Sequence, residues 1–221
     1  MQPRGILIIA CGALANEITA LKRANQWTDV QVQCLPPELH NRPERIVPAV
    51  REQLRTHRSN YDTVFIAYAD CGTGGMLDVL LREEGIERLP GAHCYEFFAG
   101  GAVFAELQDA EVGTFYLTDF LLRHFDRLVT RGLGLDKHPE LAGEYFRHYR
   151  KLVYLAQNPA PEAEEQARQI AQRMGLEFEF RVTGYGELGS RLTALLAARP
   201  GSAPAAPRVA GDRANGDLWR N

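Results

Sequence analysis

The sequence predicts an α/β protein built on an open, doubly wound, mainly parallel sheet. Short apolar runs alternate with amphipathic stretches of about 10–15 residues, the pattern of repeated βαβ units. The 221 residues are fewer than the ~250 that a closed eight-stranded barrel usually needs. We therefore expect a Rossmann-like sheet of about six to seven strands, with ligands at the carboxyl ends of the strands.

Strands are predicted where apolar, β-branched or aromatic residues form short runs. In chain order these runs cover residues 6–10, 30–35, 63–68, 93–98, 114–117, 151–156 and 176–182. The first run, ILIIA, is continuously apolar, as expected of a strand that is buried on both faces.

Helices are predicted where apolar residues recur at helical spacing. They cover residues 13–23, 75–84, 101–110, 161–174 and 185–198, with two more placed by their starting signals. Pro43 suits a first helical position, and Ile46, Val50 and Leu54 continue that helix as an apolar stripe. Thr118 or Asp119 caps a helix that runs to residue 131.

Composition restricts the functional class. Lys and Arg total 25 and Asp and Glu total 28, so the net charge of -3 argues against nucleic-acid binding, which favours basic proteins. The sequence has no apolar run near the ~20 residues of a membrane span and no signal peptide. We expect a cytoplasmic protein with one domain over residues 1–198. The Pro- and Gly-containing tail, 199–221, which includes Trp219, is predicted to be disordered.

The four cysteines are too few for a disulfide scaffold. Each lies at or near the end of a predicted strand, so they should gather at one edge of a parallel sheet. Glycine follows Cys11 and Cys71, and a glycine-bearing turn follows Cys94, whereas Cys34 has the sequence context of a core residue. We expect Cys11, Cys71 and Cys94 to form a joint site, with His93 as a further ligand.

Three thiolates suit a metal centre with an open position, either an iron–sulfur cluster or zinc. The sequence does not choose between these metals. A metal-free enzyme with Cys71 as its nucleophile is an alternative, because Cys71 lies between Asp70 and a glycine-rich turn.

Polar residues near these cysteines are candidates for acid–base and binding roles. Glu17, His40, Asp70 and Glu96 are the expected catalytic groups. By strand alternation Glu96 would share a face with Cys94. A small anionic substrate is expected to bind the backbone of the turn and the segment after strand two; the binding residues would be Asn41, Arg42, Gly72, Thr73, Gly74 and Gly75.

Five motifs carry a family resemblance: CGALANE (11–17), LHNRPE (39–44), YADCGTGG (68–75), HCYEFFAG (93–100) and YLTDF (116–120). Over about residues 5–196 the chain resembles the bacterial and archaeal domain of unknown function number 1638. The resemblance implies no established reaction. It implies proximity to corrinoid-dependent methyltransferases, and so a place in one-carbon metabolism.

Three functional hypotheses follow. The first is a metal-dependent enzyme that transfers a methyl or sulfur group on a small anionic molecule. The second is a non-catalytic metal-binding accessory protein of a corrinoid methyltransferase, and the third is the metal-free cysteine enzyme.

Overall fold

The computed structural model describes residues 5–197 and contains two parallel sheets. The first sheet has the order β2-β1-β3-β4 and the second has the order β5-β6-β7. The strands are β1 (Ile6–Cys11), β2 (Val30–Leu35), β3 (Thr63–Ala67), β4 (Glu87–Arg88), β5 (Thr114–Thr118), β6 (Lys151–Ala156) and β7 (Glu177–Val182).

Helices connect and cover these strands. They are α1 (Ala15–Ala24), α2 (Ile46–His57), α3 (Met76–Glu84), α4 (Cys94–Ala99), α5 (Gly101–Ala110), α6 (Asp119–Arg123), α7 (Ala142–Phe146), α8 (Ala163–Met174) and α9 (Gly186–Ala197). A π-helical turn follows α6 at Asp126–Thr130, and short 3-10 turns occur at Gly12–Leu14, Pro37–Asn41, Pro43–Arg45, Arg58–Asn60 and Pro139–Leu141.

The prediction of an open, parallel α/β fold is confirmed, but the strands form two sheets instead of one. The predicted strand at residues 93–98 is wrong, because this segment forms helix α4. The carboxylate of Glu96 accepts a hydrogen bond from the backbone N–H of Ala92 at 3.2 Å, which satisfies a donor at the start of the helix. Cys94, Phe97 and Phe98 form its buried face.

Parallel register brings the carboxyl ends of the first three strands to one edge. Ala10 is paired with both Cys34 and Ala67, so strands β1, β2 and β3 end at nearly the same level. Every residue of β1 is buried, as its apolar run predicted. Cys71 follows β3 by four residues and therefore lies just beyond this edge.

The first half of the chain carries the sheet β2-β1-β3-β4, and the second half carries the sheet β5-β6-β7. Helix α9 joins the two halves. This helix follows the second sheet in sequence, but Leu188, Leu192 and Leu196 are buried in the core of the first sheet. The backbone of Gly186 also approaches the carbonyl groups of Phe97 and Phe98 in α4 so closely that a side chain has no room there. The C-terminal helix thus packs on the segment that carries Cys94.

Within the described range, no helix has the length and apolar character needed to cross a membrane. The end of the predicted domain at residue 198, the predicted disordered tail and Trp219 lie outside the described residues.

Candidate active site

The turn after β3 holds Cys71 in an unusual backbone conformation. Cys71 has a φ of 50°, and Gly72 after it has a φ of 83°. A residue with a side chain pays a steric cost in this left-handed region, which glycine does not. The backbone N–H of Cys71 donates to the carbonyl of Ala92 at 2.9 Å, and that of Asp70 donates to Gly91 at 3.0 Å. These bonds join the turn to the segment that precedes Cys94.

Asp70 organises this turn from within. Its carboxylate accepts hydrogen bonds from Thr73 Oγ1 at 2.7 Å and from the backbone N–H groups of Gly74 at 3.1 Å and Gly75 at 2.8 Å. Partial burial raises the pKa of Asp70, but these three bonds and the charge of Arg88 outweigh burial and lower it. The glycine N–H groups that we expected to bind a substrate anion therefore already bind a carboxylate of the chain.

Cys71 and Cys94 form an interacting pair of buried thiols. A hydrogen bond from Cys94 lowers the pKa of Cys71; burial raises it, and the nearby imidazoles of His40 and His93 lower it further. The same bond raises the pKa of Cys94, and burial adds to that rise. Of the two, Cys71 is therefore the thiol that loses its proton more readily.

His40 lies between Cys11 and Cys71. Its Nδ1 is 3.7 Å from Cys11 Sγ, and Sγ in turn accepts the backbone N–H of Ala13 at 3.4 Å. Burial lowers the pKa of His40, but its contact with Cys11 and the charges of the nearby Cys11 and Cys71 sulfurs raise it above the ordinary value. The imidazole and the Cys71 sulfur thus stabilise each other as imidazolium and thiolate.

Two buried atoms beside this group have no partner of hydrogen-bond geometry among the described residues: His40 Nε2 and the hydroxyl oxygen of Tyr68. The rings of His40 and Tyr68 are stacked, with centroids 6.4 Å apart. Buried polar atoms are nearly always hydrogen-bonded in proteins. These two leave donor or acceptor capacity for a bound molecule beside the thiols. Tyr68 lies in the YADCGTGG motif, but its apolar strand gave no signal of this position.

A cavity of about 510 Å³ opens between the two halves and reaches the thiols. Cys71, Cys94, His40 and His93 line it from the first half. Its other wall consists largely of aromatic and aliphatic side chains, among them Phe115, Phe120, Leu121, Leu128, Val129, Leu133, Tyr145, Phe146 and Tyr149. Cys11 and Cys34 are absent from the lining described. Cys11 contacts His40, and Cys34 is half-buried in strand β2 beside β1.

Of the other predicted binding residues, Asn41 and Gly72 line the cavity, whereas Arg42 is exposed and does not. Asn41 does not cap a helix; its amide donates to the carbonyl of Leu128 at 3.1 Å and so joins the two halves. Glu96 caps its own helix instead of sharing a strand face with Cys94, since the segment is helical.

Glu17 does not reach the thiol cavity. It is buried in α1, and its Oε2 has no hydrogen-bond partner among the described residues. Burial raises its pKa to about 7; its own backbone N–H and the charge of Arg123 lower it, and the charge of Asp119 raises it. Glu17 therefore faces the second half of the chain, where Asp119 begins helix α6.

Sequence reasoning treated Asp119 only as a possible helix cap. Thr118 fills that role by accepting the N–H of Leu121 at 3.2 Å. The Asp119 carboxylate is buried and accepts bonds from Tyr154 Oη at 2.7 Å, from the N–H of Asn158 at 2.6 Å and from the N–H of Gln157 at 3.3 Å. Its place after a strand in YLTDF was the available signal.

Metal binding was expected at Cys11, Cys71 and Cys94. Within residues 5–197, no group of three or more His, Cys, Asp or Glu side chains is arranged to hold a metal ion. The thiols are close enough to affect one another's charges, but Cys11 is not among the residues described as lining the cavity.

Comparison with protein families gives one match. Residues 34–192, more than half of the chain, match the model described as "protein of unknown function (DUF1638)". The chain belongs to the DUF1638 family. No curated protein and no solved structure gives a significant match. The family membership predicted from the cysteine-bearing motifs is thereby confirmed, and it assigns no reaction.

Proposed function

We propose that this DUF1638 protein is a cysteine-dependent enzyme whose Cys71 thiolate attacks a small, largely apolar molecule in the cavity between the two halves. The observation that carries the proposal is the placement of Cys71. Its sulfur faces the cavity, a thiol and an imidazole stabilise its charge, and its backbone is held in the left-handed region. Buried thiols without such neighbours are inert.

The chemistry that this arrangement supports is nucleophilic substitution or addition–elimination. The Cys71 sulfur forms a bond to an electrophilic carbon while the bond from that carbon to its leaving group breaks. The leaving group departs with the electron pair and takes a proton from the His40 imidazolium. Water or an acceptor thiol then displaces the Cys71 sulfur and returns a proton to His40, which restores the thiolate–imidazolium pair.

The lining of the cavity supports an uncharged substrate. No Asp, Glu, Lys or Arg belongs to the described lining, and most of it is apolar. An anionic substrate, as the sequence suggested, would lose its hydration there without gaining a Lys or Arg partner, and the charge of the His40 imidazolium is already balanced by the Cys71 thiolate. A cavity of this volume is within the usual range for small-molecule sites.

A metal-dependent enzyme is the second candidate. Its support is that three thiols and the His40 imidazole, ligands suited to zinc and, for the thiols, to iron–sulfur clusters, lie in one region. Binding would require Cys11, Cys71 and Cys94 to turn toward a common point, because the described residues hold no such group as they stand.

Alkylation kinetics test the cysteine-enzyme proposal. Protein purified without oxygen is treated with iodoacetamide or with anionic iodoacetate at pH 6.5, and the modified cysteines are mapped by mass spectrometry. We expect Cys71 to react first, and faster than a free thiol, whose pKa near 8.5 leaves only about 1% thiolate at this pH. Iodoacetamide should be favoured over iodoacetate more strongly in the folded protein than in denaturant, because the cavity lining described has no Lys or Arg and the Cys71 thiolate balances the charge of His40.

Variants and metal analysis complete this test. His40→Gln should remove an imidazole that stabilises the thiolate, so the pH at which alkylation of Cys71 reaches half its maximal rate should rise from about 5 by about one unit. Cys34→Ser, which changes a cysteine outside the cavity, should leave the rate unchanged. Unreactive Cys71 in a metal-containing sample, with reactivity appearing only after chelation, would contradict the proposal and support the metal centre.

The family resemblance implies a corrinoid methyltransferase as a partner, and no contact in the candidate site bears on it. It stays a prediction, and recovery of that enzyme in a complex with this chain is the measurement that tests it.

A further inference from the structure

We propose that Cys94 acts as a resolving thiol for Cys71, which gives the protein a thiol–disulfide exchange activity toward small neutral disulfides. The two cysteines are 23 positions apart in sequence but adjacent in the fold, and both line the same cavity. This inference shares the Cys71 thiolate with the proposed function and adds a second reacting sulfur.

The backbone holds the two thiols together. The N–H of Cys71 bonds to the carbonyl of Ala92, and the N–H of Asp70 bonds to the carbonyl of Gly91. The chain then turns through His93 into α4, whose first residue is Cys94. Helix α9 packs behind α4 at Phe97 and Phe98, so Cys94 is presented to Cys71 from a supported segment.

The four cysteines divide according to access. All four are free thiols. Only Cys71 and Cys94 belong to the cavity lining described, whereas Cys11 contacts His40 and Cys34 lies in strand β2. A disulfide molecule that enters the cavity therefore meets these two sulfurs. Cys71, the nucleophile of the proposed function, attacks first, and Cys94, the second sulfur of the cavity lining, reacts second.

The exchange balances in two steps. The Cys71 thiolate attacks one sulfur of the disulfide, the S–S bond breaks, and the first small thiol leaves with a proton from His40. Cys94 then loses its proton and attacks Cys71 Sγ, which forms the Cys71–Cys94 disulfide, and the second small thiol leaves with that proton. Two protein thiols are oxidised while one disulfide is reduced to two thiols, and an external dithiol reverses the reaction.

Hydroxyethyl disulfide, which is small and uncharged, is the probe for this inference. The full chain is exposed to it anaerobically, free thiols are counted in denaturant, and linkages are mapped without reduction. Of the four thiols, we expect two to disappear in the wild-type protein, with Cys71 linked to Cys94, and dithiothreitol to restore both. Cys34→Ser should lose the same two.

Single variants separate attack from resolution. Cys94→Ser should accumulate a stable mercaptoethanol adduct on Cys71, whereas Cys71→Ser should keep its three remaining thiols over the same time. Circular dichroism of each variant checks that it folds. A persistent adduct on Cys71 in the wild-type protein, or a linkage of Cys71 to Cys11, would overturn the inference.

The outcomes also distinguish this inference from the proposed function. If iodoacetamide modifies Cys71 rapidly but no Cys71–Cys94 linkage forms, the result supports Cys71 as the nucleophile and contradicts the resolving role of Cys94. If neither reagent modifies Cys71, both fail.

Discussion

The two parallel sheets use the same position, just beyond the carboxyl end of a strand, in different ways. Asp119 follows β5 directly, and all its bonds are made within the second half, to Tyr154, Gln157 and Asn158. Beyond β3 the carboxylate of Asp70 is satisfied in the same manner by its own turn. Beside it, however, Cys71, His40 and Tyr68 present groups to a cavity or leave polar atoms unpaired.

This difference separates structural from reactive polar groups. A carboxylate that accepts three hydrogen bonds stabilises the turn around it and has little capacity left for a ligand. A thiolate held by one thiol and one imidazole, in a strained turn beside a cavity, keeps its reactivity. The contrast therefore indicates that the thiols of the first half are the reactive groups of this protein.

The largest effect on stability is expected at Asp119. Asp119→Ala would leave the buried Tyr154 hydroxyl and the Asn158 and Gln157 amides without their acceptor, at about 1–3 kcal/mol for each group left unsatisfied. We expect the free energy of unfolding to fall by about 3 kcal/mol or more, measured in urea.

Asp70→Ala is the matched control, because its carboxylate also accepts three bonds but is only half-buried. Water can replace part of what is lost there, so a decrease of about 1 kcal/mol is expected. Equal losses of unfolding free energy at the two positions would contradict the distinction between a buried and a partly solvent-exposed carboxylate.

Glu17 is expected to make stability depend on pH. Its pKa of about 7 in the folded protein exceeds the ordinary value of 4.5, so the folded protein binds more protons than the unfolded chain between these values. The contribution of Glu17 to stability should therefore be fully present below pH about 4.5 and fall by roughly 2–3 kcal/mol as the pH rises through 7.

Glu17→Gln should remove this slope and be more stable than the wild-type protein at pH 8.5. Urea unfolding from pH 5 to 8.5 measures the effect. The side chain of Glu187 is partly exposed, and its pKa is lowered by the Gly101 N–H and Arg191, so Glu187→Gln should leave the Glu17 slope in place. A dependence of stability on pH that is the same in the wild-type protein and in Glu17→Gln would refute the assignment.

The smallest expected effect comes from the strained backbone at Cys71. With a φ of 50°, Cys71→Gly should be more stable than Cys71→Ala by about 1 kcal/mol, because glycine adopts this region without steric cost. Both variants lack the thiol, so the difference in unfolding free energy isolates the backbone. Cys94→Gly and Cys94→Ala should rank in the opposite order, since Cys94 is in a helix, where glycine is unfavourable.

Local patterns in the sequence predicted most of the elements. Strands β2 and β6 and helix α5 were predicted to the residue, because a compact apolar run or a clear helical period marks each. The strand prediction for HCYEFF is wrong because its four apolar and aromatic residues, Cys94, Tyr95, Phe97 and Phe98, satisfy strand and helix alike. In the folded protein, the bond from the Ala92 N–H to Glu96 and the packing of α9 on Phe97 and Phe98 stabilise this segment as a helix.

The sequence by itself determined that this is a parallel α/β protein of the DUF1638 family with Cys11 and Cys71 at or near the carboxyl ends of strands. Repeated strand and helix signals favour parallel pairing, and the carboxyl ends of parallel strands share an edge. Only the tertiary structure decided the division into two sheets, the helix that begins at Cys94, which thiols line the cavity, and the apolar wall that the second half contributes to it. Those facts depend on contacts between residues far apart in the chain, and no spacing or composition encodes them.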